Sequence, residues 1–219
     1  MEEAKGVIEP DFAKSVRDFV KLQTFRSLFR SYIKNEEDLW RLTLFCVSDF
    51  VTNAWKREML ELMRMAGAFT YPLLIVAVDV RNLHGINTIF GYENGDEYLR
   101  ITKEVLEGSI RTGKEHHREG ERGTDWVFRW GGDEFILICS LPVNEGETPQ
   151  SIERRIENLK YTREITFRTK KRPRRGQLNF SVYVACAVAG SQKDFPRAME
   201  ATFRRLSDKK IRFRRRPPK

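Results

Sequence analysis

Two stretches of this 219-residue chain place carboxylates where apolar sequence would hold them rigid. The first is Val127 to Cys139, V-F-R-W-G-G-D-E-F-I-L-I-C. Aromatic and β-branched residues on both sides of Gly131-Gly132-Asp133-Glu134 predict two strands. The glycine pair predicts a tight hairpin turn, because glycine adopts φ > 0 without a steric cost. That turn would carry Asp133 and Glu134 at its tip. The second stretch is Leu73 to Asp79, L-L-I-V-A-V-D, an apolar run of strand length that ends in an acid. Hard divalent cations take oxygen ligands, and two-metal phosphoryl chemistry needs carboxylates from separate elements. Each stretch alone reads more simply as something bland: an acidic turn in one case, a helix cap in the other. Their coexistence favours a metal-dependent site.

The elements that must position these acids follow from periodicity. Phe12, Val16, Phe19, Leu22, Phe25, Phe29 and Tyr32 recur at steps of three and four and predict an amphipathic helix over 11–33. A second short helix is expected over 36–47, and a helical pattern reaches about Ala68 before Pro72. After Asp79, R-N-L-H-G-I-N-T-I-F-G-Y-E-N-G-D reads as a short helix, a glycine-rich loop and a new helix start at Asp96. Asp96 would then be an N-cap or first-turn acid. Tyr98, Leu99, Ile101, Val105, Leu106 and Ile110 form the apolar face of that helix. Thr148-Pro149 opens another, with Ile152, Ile156 and Leu159 as its buried stripe. K-K-R-P-R-R over 170–175 is a basic loop, Leu178 to Val188 a strand, and Phe195, Met199, Thr202, Phe203 and Leu206 a last helix. The expected fold is α+β, a central, mainly antiparallel sheet flanked by helices, with an N-terminal helical extension.

Composition narrows the partners. Lys and Arg number 40 against 31 Asp and Glu, a net charge of +9 that favours anionic ligands. Cys46, Cys139 and Cys186 lie in apolar sequence at no metal-ligand spacing, as expected for reduced core thiols in a cytoplasmic protein. Adjacent His116 and His117 sit in a polar loop. No apolar run approaches the length of a membrane span. The basic stretch at 170–175 and the basic C-terminus keep nucleic acid open as a partner.

Several motifs, in order and spacing, resemble the GGDEF family of diguanylate cyclase domains. Gly131-Gly132-Asp133-Glu134-Phe135 is the signature, preceded by Arg129-Trp130 where the family usually has Arg-Tyr. Asp49-Phe-Val-Thr-Asn-Ala-Trp-Lys-Arg57 resembles the family's opening D-x-L-T-G-L-x-N-R. Asp79 stands at the first metal aspartate, with Asn87 and Asp96 at the two guanine-binding positions eight and seventeen residues later. Gly91 and Gly95-Asp96 keep the loop between them, with Tyr92 in place of His. Arg122-Gly-Thr-Asp125 matches the R-x-x-D inhibitory product site. Three further positions depart. Arg81 replaces the second acid of D-x-D-x-F-K, His84 replaces its lysine, and Leu206 aligns with a late phosphate-binding lysine, although Lys209, Lys210 and Arg212 are near.

The resemblance covers about Asp49 to Arg212 and implies a palm-like cyclase domain over 48–213, a helical extension over 1–47 and a basic tail over 214–219. It implies condensation of two GTP into cyclic di-GMP and two pyrophosphates by a homodimer. Magnesium, with manganese as substitute, would be held by Asp79, the Val80 carbonyl, Asp133 and Glu134. Asp133 and Glu134 would be the catalytic pair. Substrate would meet His84, Asn87, Tyr92, Asp96, Gly131 and Gly132, and product would meet Arg122 and Asp125. The departures raise a second reading, a weakened domain that binds GTP or cyclic di-GMP as a sensor. A cyclase making another cyclic nucleotide and a nucleic-acid binder complete the alternatives.

Overall fold

The computed structural model describes residues 48–65, 67–110, 125–141, 148–168 and 173–214. The helices expected over 11–33 and 36–47, Cys46, the loop with His116, His117 and Arg122, and residues 215–219 lie outside them.

The strand expected at Leu73 is the centre of the molecule. β2 (Leu73–Val80) is buried along its whole length. It pairs antiparallel with β4 (Glu134–Ser140) on one side and with β7 (Val182–Ala189) on the other. β3 (Trp126–Gly131) follows β4, and the short β1 (Trp55–Lys56) closes the order β1-β3-β4-β2-β7. Among the described residues of this sheet only the β1–β3 pair is parallel. A central strand covered on both faces must be apolar throughout, which is why L-L-I-V-A-V shows no alternation.

The alternation reappears in what each face packs against. Leu74, Val76, Val78 and Val80 join one core with α2 (Leu83–Phe90), α3 (Tyr92–Ser109) and α4 (Pro149–Glu157) through Ile86, Tyr98, Ile101, Ile152 and Ile156. Leu73, Ile75 and Ala77 join the other with α1 (Arg57–Met65) and α5 (Phe195–Arg214) through Leu60, Met63, Phe195 and Leu206. The α+β fold with a mainly antiparallel sheet and flanking helices is therefore as expected. Thr148 caps α4 as read: its Oγ1 accepts from the Ser151 amide at 3.2 Å, and Pro149 opens the helix.

Four local readings are corrected. α3 begins at Tyr92, so Asp96 lies in its second turn and caps nothing. The cause is Gly91, whose φ of 89° lets the chain turn between α2 and α3 without a loop. Within the hairpin only Gly132 takes a positive φ, 42°, and a bulge between Arg129 and Gly131 supplies the rest of the turn. The basic stretch at 170–175 is not wholly a loop, since β6 (Pro173–Asn179) begins inside it and pairs with β5 (Thr162–Arg168) in a separate two-stranded sheet. The strand expected from Leu178 to Val188 is broken at Phe180-Ser181, where Ser181 instead meets the Arg81 amide and the Tyr98 hydroxyl.

Candidate active site

The two acidic stretches meet in the sheet. In the β2–β4 register Asp79 stands opposite Glu134. Both side chains leave the face that α5 covers, because they share strand parity with Ala77 and Ile136. The Val80 amide donates to the Asp133 carbonyl at 2.9 Å, which ties the turn to the end of β2. Asp133 and Glu134 are half-buried. Asp79 is only 3% exposed.

A buried carboxylate needs a partner. For Asp79 the partner is Lys210, whose Nζ forms an ion pair with Oδ2. Sequence alone puts Lys210 near the late lysine position and assigns it no partner. The position that aligns with that lysine, Leu206, is 2% exposed and belongs to the core beneath α5. Lys210 lies one helical turn further along the same face of α5. The charges act on Glu134 as well. Burial pushes its carboxyl above the ordinary value, Lys210 opposes that, and Asp79 and Asp133 add to it.

Arg81 is held by aromatic rings. Its guanidinium lies 4.0 Å from the Tyr183 ring centroid and 4.5 Å from that of Phe213. Its Nε is buried with no hydrogen-bond partner among the described residues. The residue two positions after Asp79 is thus a cation that packs on aromatic rings from β7 and the end of α5.

The turn has its own clamp. Arg129 Nη2 and Nε donate to the Gly132 carbonyl at 2.8 and 3.2 Å, and Nη1 donates to Asp49 Oδ1 at 2.7 Å. The same Asp49 oxygen accepts from the Thr52 amide and hydroxyl, both at 2.8 Å, and from the Val51 amide at 3.2 Å. Burial alone would raise the Asp49 carboxyl; the Arg129 and Thr52 contacts outweigh it and hold it below the ordinary 3.8. The diverged D-F-V-T opening is therefore a structural brace for the acidic turn. Its Asp and the Arg before Trp130 were visible as motif residues, but nothing in their separation of 80 positions showed that they touch.

Asn87 and Asp96 come together through Gly95. A Cβ on Gly95 would lie 1.7 Å from Asn87 Oδ1, so the amide occupies the space that the missing side chain leaves. Asn87 Oδ1 is buried and has no hydrogen-bond partner among the described residues. Asp96, on the next residue, is half-buried. His84 and Tyr92 are exposed at the starts of α2 and α3. Asp125, by contrast, is 4% exposed, and its Oδ1 accepts from the Ser140 amide at 3.1 Å.

Among the described residues no group of three or more His, Cys, Asp or Glu side chains is already arranged around one metal position. The donor set still fits a hard divalent cation by its chemistry. Asp79, Asp133 and Glu134 are carboxylates at neighbouring strand ends, and their mutual repulsion is what a cation relieves. No helix among the described residues is long and apolar enough to cross a membrane.

The chain is similar to known proteins over much of its length. The chain is 26% identical to the diguanylate cyclase DosC of Escherichia coli K12 over 208 residues, which is 94% of this chain and 40% of that protein. It is 36% identical to the E. coli K12 diguanylate cyclase DgcM over 92 residues, 42% of this chain and 19% of that one. The chain thus spans well under half the length of these curated relatives. The fold is shared with the coiled coil and GGDEF domain of Caulobacter crescentus DgcB, solved in complex with c-di-GMP. The TM-score there is 0.55 at 16% identity, covering 80% of this chain and 86% of that one. It is also shared with the Pseudomonas aeruginosa diguanylate cyclase SiaD, solved with its activator SiaC, at a TM-score of 0.52 and 18% identity, over 92% of this chain and 71% of that one. A protein-family model described as "Diguanylate cyclase, GGDEF domain" matches residues 52–215. With its acidic hairpin opposite Asp79 and this match across most of its length, the chain belongs to the GGDEF domain family.

Proposed function

We propose that this chain condenses two GTP into cyclic di-GMP with release of two pyrophosphates. The observation that carries the reading is the register that sets Asp79 against Glu134, with Asp133 tied to the same strand end. A magnesium or manganese ion held by Asp79, the Val80 carbonyl, Asp133 and Glu134 would neutralise phosphate charge and lower the pKa of the attacking 3′-hydroxyl. The rest falls to the protein. The Asp133 carboxylate accepts the proton of that hydroxyl as the oxygen attacks the α-phosphate of the second nucleotide. The Gly131-Gly132 turn, with no Cβ atoms, lets its backbone lie close to phosphate.

Guanine selection rests on Asn87 and Asp96. An ionised Asp96 accepts from N1–H and N2–H together, and the unpartnered Asn87 Oδ1 needs a donor that the guanine amine can supply. Adenine would set Asp96 against an acceptor, and a polar mismatch of that kind costs about 1–3 kcal/mol. His84 and Tyr92, at the exposed helix starts, border the same nucleotide. One domain carries one such set, so the reaction needs two chains face to face, in a two-fold homodimer. Product inhibition at Arg122 and Asp125 belongs to the same reading. The spacing of those two residues from Gly131 supports it, while Asp125 already bonds to Ser140. Cytoplasmic GTP is the substrate pool this reading requires.

A second reading, a domain that binds GTP or cyclic di-GMP without turnover, is favoured by the Lys210–Asp79 ion pair and by Arg81 at an acid position. Incubation with GTP and magnesium, followed by nucleotide chromatography, decides between them. The cyclase reading expects cyclic di-GMP from the native chain and none from Asp79→Ala or Asp133→Ala. GTP binding without any product selects the second reading. Undiminished product from either variant contradicts the site.

A further inference from the structure

We infer that Lys210 and a divalent cation compete for the Asp79 carboxylate, so that metal enters the site only by expelling the lysine. The inference rests on the proposed role of Asp79 as a metal ligand. Asp79 is almost wholly buried, and Lys210 is paired with its Oδ2. A magnesium ion binds carboxylate oxygen at about 2.0–2.1 Å. An ammonium already in contact with the same group is a like charge at short range, and it repels that ion. The positive charge of Lys210 also reaches Glu134, so the lysine neutralises more than one prospective ligand.

The lysine is positioned by more than its own charge. Leu206, Lys210 and Phe213 are spaced four and three residues apart and share one face of α5. Leu206 is anchored in the core on the N-terminal side of Lys210. On the other side Phe213 packs against both Tyr183, edge to face with centroids 5.4 Å apart, and the Arg81 guanidinium. Two packed contacts therefore hold the turn of α5 that delivers Lys210 to the end of β2. Arg81, at a position where an acid would attract a cation, here braces the helix that supplies one.

The consequence is a site that takes free metal weakly until Lys210 has another anion to pair with. A polyphosphate offers such an anion and brings its own divalent ion. Metal entry and nucleotide entry are coupled through one side chain, and a metal-bound site without nucleotide is disfavoured.

The test uses the full chain and manganese as the probe, with free Mn²⁺ read by electron paramagnetic resonance in the absence of nucleotide. Lys210→Met removes the competing charge and keeps the bulk. It should bind Mn²⁺ at least about tenfold more tightly than the native chain, the scale set by one close charge interaction in a partly buried site. Asp79→Asn should lose the binding. A second measurement needs no variant: acetic anhydride labelling of native protein, mapped to Lys210 by mass spectrometry, should rise several-fold when Mn²⁺ saturates the site. Native affinity in Lys210→Met, or Lys210 labelling that ignores saturating Mn²⁺, overturns the competition while leaving the metal site in place. Mn²⁺ binding that is absent from both native chain and Lys210→Met, or unaffected by Asp79→Asn, instead removes the metal assignment and the competition with it.

Discussion

Replacing Arg129 by methionine should loosen the acidic turn, and the size of the effect follows from its contacts. The guanidinium makes two hydrogen bonds to the Gly132 carbonyl and one ion-paired bond to Asp49. Methionine keeps the stem and removes all three. Hydrogen bonds to charged groups are worth about 1.5–3 kcal/mol each when considered singly. The bonds to Gly132 lie at an exposed position and water replaces them readily. Asp49 keeps its Val51 and Thr52 donors, so its charge is not orphaned. Both facts put the net loss near the low end, about 2–3 kcal/mol in total. For a domain of this size that lowers the melting temperature by about 4–12 °C. A double-mutant cycle with Asp49→Ala isolates the pair and should give a coupling of about 1–2 kcal/mol at pH 7.

The same coupling has a predicted pH dependence. The Asp49 carboxyl is held below 3.8 in the folded chain. Its depressed value means that the ion pair contributes fully above the unfolded pKa, about 3.9, and that the contribution is lost as pH falls through the folded value. Urea melts at neutral pH and below pH 4, on the native chain, both single variants and the double variant, measure it. Additive single effects at neutral pH, within about 0.3 kcal/mol, would refute the brace. So would an Arg129→Met melting temperature within about 1 °C of the native one.

Three further outcomes follow from the site. Gly95→Ala must displace the Asn87 amide, since the new Cβ would sit 1.7 Å from Oδ1; it should cost about 1–3 kcal/mol in thermal stability and weaken GTP binding in a calorimetric titration, and full GTP affinity would take Asn87 out of the base site. Burial, with help from Glu153, pushes the Cys186 thiol up to about 12, so at pH 8 it is protonated and iodoacetamide should spare it in the native chain but not in urea, as read by peptide mapping. Asp125→Ala should destabilise the fold by about 1–3 kcal/mol through the stranded Ser140 amide, whereas Arg122→Ala should reduce cyclic di-GMP affinity more than about tenfold with an unchanged melting temperature; equal product affinity in Arg122→Ala would end the inhibitory-site assignment.

Much of the local structure was legible from the chain itself. Apolar strands on either side of a Gly-Gly-Asp-Glu turn, a continuous apolar run ending in Asp79, and a Thr-Pro helix start all report backbone preferences that act over a few residues. Those preferences are strong enough to survive without tertiary help, and they carried the fold class and the pairing of the two acidic stretches in one family pattern. The errors were also local. Sequence alone starts α3 at Asp96, four residues after its first residue Tyr92, because Gly91 turns the chain in a single step and leaves no loop between α2 and α3. The β5–β6 sheet was missed because its second strand begins with Pro173 inside a basic stretch, where neither alternation nor β-branched residues announce a strand.

The family, the central strand with its acidic hairpin and the identity of the candidate ligands are therefore written in local sequence. Which charges face one another is set only by the packed fold. Lys210 is 131 positions from Asp79 and Arg129 is 80 from Asp49. Phe213 and Tyr183 reach Arg81 from α5 and β7. No local preference encodes such pairings. They arise because two helical layers clamp the sheet and bring the end of α5 over the end of β2, and a buried carboxylate there accepts whichever cation that packing delivers.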